Sequence, residues 1–597
     1  MDLYGWFGKA LRVNLSTGVI KEEEIEKTLM MDWLGGRGLG TRMIYREVPA
    51  VCNPLGSENK LVFAAGPLTG SNFPGSGRFS VSAKSPLTGT IFDSNAGGTW
   101  GVRFKRCGFD MLIIEGAAST PVFLSIKDGA ASLEDAGELW GNDVFETNHK
   151  IISILGKDVS VACIGPAGEN QVKFAAIMND AHRVLGRGGL GAVMGAKKIK
   201  AVVVSGNKKV RVAHPEKMDL MVYESDKWIQ ASPITSKGLP EFGTPVLVNL
   251  FNELGVFPSY NFQGSQFANA GKISGEAIAE TIYAGRKGCY RCPVQCTRMV
   301  KIGASTIPGP EYESLWALGP ECGIDDLTVI AEANNLCSQL GLDTISTGVT
   351  IGCAMELEER GLLKTGLKFN DAVGLLRAIK QIAGREGVGD LLAEGSRRMA
   401  DSSGFSQYSM QVKGLELPAY DPRGMQGMGL GFATSNRGGC HLSAYMVGPE
   451  ALGVPKMVDR FSTGGKAGLT ITQQNINAAV DSLIICRFIN LAVSEEYFAR
   501  ALSAATGVDY RPQDLYRIGE RIWTLERLYN LQAGLDSSFD TLPPRLLEEP
   551  IAEGPSLGKT VELKPMLAEY YRFRGWDAAG IPTPKKLQEL ELEEYSC

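Results

Sequence analysis

Three cysteines stand in one short segment, Cys289-Tyr-Arg-Cys292-Pro-Val-Gln-Cys296. Thiolates at such spacings can converge on a single iron–sulfur cluster, leaving one iron for a distant fourth cysteine. A chain carrying this motif has to fold so that the loop meets a remote segment. Zinc would normally show paired CxxC units or histidines nearby, and neither is present. Three inert buried cysteines are the plainer alternative, but so compact a grouping argues against it. The candidates for the fourth ligand are Cys322, Cys337, Cys353, Cys440 and Cys486, and spacing does not choose among them.

The rest of the composition agrees with a metalloprotein. Twelve cysteines in 597 residues do not make a disulfide scaffold; in a cytoplasmic setting clustered cysteines are more often ligands. Histidine is limited to His149, His182, His214 and His441, which disfavours a zinc enzyme built on several imidazoles. A net charge of −5, from 61 basic and 66 acidic side chains, leaves no basic excess for nucleic acid. Hydrophobic residues at 44% and charged residues at 21% describe a globular chain, long enough for roughly three or four domains. Aliphatic runs such as Ala201–Val204 are strand-sized, so no membrane span is expected. Met1–Gly18 lacks the apolar core of a secretory signal, and a cytoplasmic location is expected.

Short β-like runs fill the first third: Lys9–Asn14, Gly18–Glu23, Leu61–Ala65, Phe79–Ala83, Met111–Glu115, Val122–Ile126, Ser160–Ile164 and Ala201–Val204. A hairpin turn is expected between Asn14 and Val19. Beyond about residue 210, helical spacing of apolar residues takes over, in Asp326–Leu340, Thr344–Arg360, Asp371–Glu386, Gln473–Ile485 and Gln513–Leu531. Strands first and helices afterwards indicate an α+β fold. The expected divisions are 1–210, 211–415 and 416–597. Pro-Leu-Thr-Gly occurs at 67–70 and again at 86–89, either as two similar turns or as two related cofactor loops.

Gly186-Arg-Gly188-Gly-Leu-Gly191 matches GxGxxG in form. A dinucleotide site also needs a preceding strand, a following helix and an acidic residue ~20 positions on. Here Asn179–Arg183 is polar, a strand-like run follows at once, and the region near 211 is basic. A nicotinamide site is therefore rejected. Arg183 and Arg187 beside glycines suit an anionic group held by guanidinium and backbone N–H; two solvated arginines on a tight turn are the bland alternative.

The chain resembles the aldehyde:ferredoxin oxidoreductases, tungsten enzymes of anaerobes, over essentially its whole length. The resemblance rests on Gly66-Pro-Leu-Thr-Gly70, Gly77-Arg78-Phe79, Ile164-Gly-Pro-Ala-Gly-Glu-Asn170, Met178-Asn-Asp180, Gly309-Pro-Glu-Tyr-Glu313, Leu417-Pro-Ala-Tyr-Asp-Pro-Arg-Gly424 and Asn436-Arg-Gly-Gly-Cys-His441. It implies an N-terminal β-sheet domain seating two pyranopterins, followed by two mainly helical domains. It also implies that Asp481-Ser-Leu-Ile-Ile-Cys486 supplies the fourth ligand, so that Cys289, Cys292, Cys296 and Cys486 hold a 4Fe–4S cluster. By the same resemblance Arg78 lies between cluster and pterin. Asn95, Gly97, Arg183, Val184, Gly186 and Arg187 line one pterin, and Asp343 and Asp481 serve the second. Tungsten (or molybdenum) is held by dithiolene sulfurs, soft donors suited to it, with Mg2+ expected between the pterin phosphates. Glu313 is implied as the acid/base and His441 as the hydrogen-bonding partner of the metal oxo group or substrate carbonyl.

The implied reaction converts an aldehyde and water into a carboxylic acid, two protons and two electrons, with W(VI) reduced to W(IV); the reverse acid reduction uses the same machinery. Electrons leave through the cluster to ferredoxin or a dedicated iron–sulfur subunit, and an oligomer is expected. Some relatives share an iron across a dimer interface through Glu and His. Here Glu332 remains, while Asn335 and Leu376 replace the histidines, so that iron is not expected. Ser338 and Ser443 stand where relatives carry Asp and Lys near the pterin. Ile484 replaces a glycine beside the cluster ligand, and Arg487 follows it. Phe262 and Tyr445 are candidates for setting substrate size. A tungsten-dependent aromatic acyl-CoA ring reductase is the catalytic alternative. A noncatalytic iron–sulfur carrier is the remote one, since it leaves the Arg/Gly loops, Glu313 and His441 unexplained.

Overall fold

The computed structural model describes residues 3–595. Two six-stranded mixed sheets form the N-terminal region. The first contains β1 (Lys9–Asn14), β2 (Val19–Glu24), β3 (Leu61–Ala64), β4 (Phe79–Lys84), β5 (Ile91–Ala96) and β6 (Met111–Glu115), in the order β2-β1-β6-β3-β4-β5. The second contains β7 (Val122–Lys127), β8 (Ala130–Asp135), β9 (Ser160–Cys163), β10 (Ile177–Asn179), β11 (Arg183–Leu185) and β12 (Ile199–Ser205), in the order β11-β10-β9-β12-β7-β8. One parallel pair occurs in each, β1 with β6 and β12 with β7. The strands expected from periodicity are all present, and Asn14 forms the expected hairpin turn by accepting from the N–H groups of Ser16 and Thr17.

Strand alternation explains the layering. Val13, Phe63, Val81 and Leu112 from the first sheet share one core with Leu124, Ala162 and Val202 from the second. The opposite face of the first sheet, with Ala10, Val62 and Ile113, is covered by helices that include Gly36–Glu47, Lys466–Leu483 and Pro512–Gln532. A single larger core holds Phe251, Trp316, Val349, Leu430 and Tyr570 together. The C-terminal helices thus close back onto the base sheet.

The helix Gly36–Glu47 escaped the periodicity reading because it carries Gly36, Gly38 and Gly40. Its glycines serve contact, not propensity: a Cβ on Gly40 would lie 2.1 Å from Ser82 Oγ on β4. β5 was also missed, because its sequence IFDSNA is polar yet almost wholly buried. Of those polar side chains, Asn95 holds Arg78 and Asp93 pairs with Arg37 and Arg437.

No helix among the described residues is long and apolar enough to cross a membrane. The two Pro-Leu-Thr-Gly segments form similar turns, and neither lines the site described next.

Candidate active site

The three clustered cysteines occupy the connection between the strands Tyr283–Lys287 and Thr297–Ile302. Positive φ at Arg291 and Gln295, both 50°, folds this connection tightly and turns it inward. Cys486 arrives from far along the chain. The helix Lys466–Leu483 ends at Ile484 with φ 63°, an αL stop that a β-branched residue adopts only at a cost of ~1–2 kcal/mol. Full burial of Ile484 holds it there, and the Cys486 N–H then donates to the Gly75 carbonyl at 3.1 Å.

Cys289, Cys292, Cys296 and Cys486 line one cavity together with Arg78, Gly97, Arg183, Val184, Glu313 and His441. Among the described residues no three His, Cys, Asp or Glu side chains converge as ligands of a single ion would. The four thiols line that cavity together with the other residues named. Burial pushes the Cys292 and Cys296 thiols up, and the neighbouring Cys486 adds to it. Ionising Cys292 and Cys296 therefore needs a cationic centre beside them. A Cβ on Gly97 would stand 2.6 Å from Cys289 Sγ, so only glycine leaves room beside that sulfur.

Arg78 precedes β4 and is fixed by β5: its Nε donates to Asn95 Oδ1 and its Nη2 to the Asn95 carbonyl at 2.9 Å. Its Nη1 is 4.0 Å from Cys486 Sγ. Asn95, Gly186, Arg187, Asp343 and Asp481 lie outside the lining itself. Arg187 ties the floor together, donating to Asp343 Oδ2 at 3.3 Å, the Gly439 carbonyl at 3.0 Å and the Glu416 carbonyl at 2.6 Å. Asp343 also caps the helix Thr344–Glu359. Asp481 pairs with Arg487 at 2.9 Å and with Arg37 at 3.5 Å.

The Gly186–Gly191 segment does follow a strand and precede the helix Leu190–Ala196, contrary to the sequence reading. But β11 is a three-residue strand antiparallel to β10, and β12 lies elsewhere in the sheet. No parallel βαβ crossover exists there, which is what a dinucleotide site requires.

Glu313 sits in the first turn of the helix Tyr312–Leu318. Its Oε2 accepts from the Ala419 N–H at 2.9 Å, while Oε1 is buried without a hydrogen-bond partner. Burial pushes this carboxyl up to about 7, against the pull of the Ala419 N–H and of Arg187. His441 opens the short helix His441–Ala444. Burial, reinforced by Arg187, Arg437 and Arg487, drives its imidazole well below the usual range, so it is neutral. The residue before it is anchored: Arg437 donates to Cys440 Sγ from Nε at 3.2 Å and from Nη2 at 2.9 Å, and to the Asp93 carbonyl at 2.6 Å. Burial alone would raise the Cys440 thiol, yet Arg437 holds it below its ordinary value.

Several site groups were not anticipated from sequence. Glu311 accepts from Thr244 Oγ1 at 2.6 Å and lines the cavity, as do Tyr312 and Tyr420. The ring of Tyr420 lies 5.5 Å from that of His441. Arg37 is buried and grips Glu526 through two bonds of 2.8 and 2.7 Å. Tyr445 does line the cavity, but Phe262 is core, packed edge-on to Trp316. Ser338 is spent on a helical back-bond to Asn334, and Ser443 Oγ lies 3.2 Å from Ser435 Oγ. Glu332, Asn335 and Leu376 meet at a separate surface depression.

A family model described as the N-terminal domain of aldehyde ferredoxin oxidoreductase matches residues 10–206, and one for its domains 2 and 3 matches residues 221–592. The chain belongs to the aldehyde ferredoxin oxidoreductase family. It is 48% identical over 604 residues to the tungsten-containing aldehyde ferredoxin oxidoreductase of Pyrococcus furiosus, covering 99% of this chain and 100% of the relative. Identity to the Thermococcus kodakarensis protein of the same name is 46% over 604 residues, with the same coverage. The fold is also that of the solved active-site complex BamBC of benzoyl coenzyme A reductase. That likeness has a TM-score of 0.86 at 24% identity, over 100% of this chain and 98% of the other.

Buried polar atoms without protein partners test whether this family's cofactor suits these residues. Asn95 Nδ2, Asn179 Oδ1, Glu313 Oε1, His441 Nδ1 and Arg487 Nε belong to side chains that line the cavity or directly adjoin its lining residues. Such orphans are costly unless something bound satisfies them. A large, polar, anionic cofactor with a cluster next to it fits that donor set.

Proposed function

We propose that this chain oxidises aldehydes to carboxylic acids in a tungsten-dependent reaction and passes the electrons to ferredoxin. The observation that carries this reading is the pairing, in one cavity, of a carboxyl near neutral pKa and a neutral imidazole beside four gathered thiols. Cys289, Cys292, Cys296 and Cys486 would hold a 4Fe–4S cluster. Arg78, Asn95, Gly97, Arg183, Val184, Gly186 and Arg187 would hold one pyranopterin; Asp343 and Asp481 would serve the other, with Mg2+ between the phosphates. When bound, the tungsten centre accepts two electrons from the substrate, and the cluster releases them singly.

The chain's own residues orient the substrate and manage the protons. Once Glu313 has taken up a proton, His441 donates from Nδ1–H to the substrate oxygen, which is where negative charge grows as water attacks. Glu313 in its base form accepts a proton from that water; a carboxyl near 7 does this best at neutral pH. Tyr312, Tyr420 and Tyr445 line the cavity, and burial keeps their phenols protonated. They limit the water that enters; the Tyr312 hydroxyl is committed to the Ala419 carbonyl at 2.8 Å, which leaves Tyr420 and Tyr445 as donors. We place the enzyme in the cytoplasm, working as an oligomer or with a dedicated electron-transfer subunit.

The test is aldehyde-dependent reduction of a viologen dye by protein prepared without oxygen after growth on tungstate. Turnover with small and aromatic aldehydes is expected. A preparation that contains both tungsten and iron yet fails to turn over would reject aldehyde oxidation and favour thioester ring reduction.

A further inference from the structure

Within the segment Cys289-Tyr290-Arg291-Cys292, neighbouring side chains face opposite ways. Cys289 and Cys292 line the inner cavity, whereas Tyr290 lines a depression on the outer surface. The loop is therefore a thin wall between the thiols and solvent. Electron transfer falls steeply with distance, so an acceptor seated in this depression would be separated from a cluster on the thiols by little more than this loop.

The charge on that outer surface is opposite to the charge of the chain as a whole. The net charge is −5, yet the depression is bordered by Arg106, Lys208, Lys209 and Arg211, with Asp219 as the acidic residue of its lining. Two of these cations are held in place by aromatic rings. Arg106 lies over the Tyr290 ring at 5.6 Å and donates to its hydroxyl at 3.3 Å, and Arg211 lies over Tyr4 at 4.8 Å. Lys208 and Lys209 are exposed. Arg291, also exposed, extends the positive field and donates to the Asn72 carbonyl at 3.4 Å. A local cationic patch on an acidic protein steers acidic partners to one place and repels them elsewhere.

We propose that this patch is the docking surface for a small, strongly acidic iron–sulfur protein of the ferredoxin type. A cluster held by the four thiols would release its electrons past Tyr290, one per encounter, to reduce the partner's oxidised cluster. The inference rests on the reading above, in which Cys289, Cys292, Cys296 and Cys486 hold the cluster.

The experiment compares two acceptors with the loaded holoenzyme. One is an acidic bacterial-type ferredoxin; the other is a viologen dye small enough to need no docking surface. Lys208→Glu combined with Lys209→Glu is expected to raise the KM for ferredoxin about tenfold or more at low ionic strength. Viologen-linked turnover should stay within about twofold, and the ferredoxin defect should shrink as salt approaches about 0.5 M. The pair Lys208→Gln and Lys209→Gln should fall between, which guards against a folding defect in the reversed variant. Lys380→Glu, at the separate depression with Glu332, should change neither rate. An unchanged ferredoxin KM in the reversed variant, or an equal rise in Lys380→Glu, overturns the docking surface while leaving aldehyde oxidation standing. Absence of viologen-linked turnover in the wild type brings down the underlying reading, and the docking surface with it.

Discussion

His441 Nε2 stands 3.6 Å from Glu313 Oε1, and neither that oxygen nor His441 Nδ1 has a hydrogen-bond partner in the protein. The contact is just beyond hydrogen-bond range, so a small shift closes it. A neutral imidazole carries a single N–H, and the state of Glu313 decides where it sits. With Glu313 ionised, Nε2–H faces the carboxylate. With Glu313 protonated, its O–H faces Nε2 and the imidazole proton moves to Nδ1, free to be donated elsewhere. The two residues thus form one proton relay.

The first consequence is a pH profile. With Glu313 at about 7, aldehyde oxidation needs its base form, so kcat/KM rises with pH up to about 7 and then levels. Acid reduction needs the acid form and falls above the same point. Glu313→Gln should flatten both limbs and lower kcat by roughly 10²–10⁴-fold. Steady-state rates in both directions across pH 5–9 check this; a limb near 7 that persists in the variant belongs to another group.

His441→Ala tests whether the imidazole is neutral. Losing a neutral ring lets water reach Glu313 and relieves its desolvation, so the limb should move to lower pH. Losing a cation would move it higher, because a positive neighbour stabilises the carboxylate. The rate is expected to drop on the order of 10²-fold, the loss typical of one transition-state donor.

Gly97→Ala places a methyl 2.6 Å from Cys289 Sγ. The expected result is a folded chain with less iron. Iron per chain by elemental analysis and the visible absorbance of the cluster should fall together, with circular dichroism unchanged. Full iron content would mean the loop yields.

The C-terminal region is clamped by Arg545, which meets Glu356 at 2.6 and 2.9 Å with both side chains buried. Removing Arg545 leaves the buried Glu356 carboxylate to Asn261 at 2.6 Å and the half-exposed Arg360 at 2.8 Å, without its buried cation, at a cost of up to about 3–5 kcal/mol. Arg545→Met should therefore lower the unfolding midpoint markedly, while Glu356→Leu with Arg545→Met should recover much of it. Burial works against the Glu356 carboxylate, but Arg545 holds it below the usual range. Its stabilisation is therefore present above the unfolded value of ~4.3 and is lost as pH falls through the lower folded value. Thermal melts of both variants from pH 3 to 7 would show the wild-type advantage vanish at the acid end.

Much of this was legible from the sequence, for physical reasons that also explain the gaps. Strand β1 and the helix Leu327–Leu340 declare themselves through apolar periodicity, and the cysteine loop through spacing. The helix Gly36–Glu47 does not, because its glycines are chosen for how closely it approaches Ser82 and its other neighbours. β5 hides because Asp93 and Asn95, on one face of the strand, engage arginines instead of apolar side chains. Among the residues that line the cavity, Cys289, Cys292 and Cys296 stand out by their spacing, whereas Cys486, Glu313 and His441 are singled out by the family resemblance alone. Arg37 is singled out by neither, since its partner Glu526 is 489 positions away and no local pattern links them.

Arg187 ties Asp343, Glu416 and Gly439 to the glycine loop, which joins segments far apart in the chain beneath the cavity. Because one guanidinium spans all three, the glycine loop, the start of the helix Thr344–Glu359 and the segment before His441 move only together, so a change at one edge of the cavity is transmitted to the others.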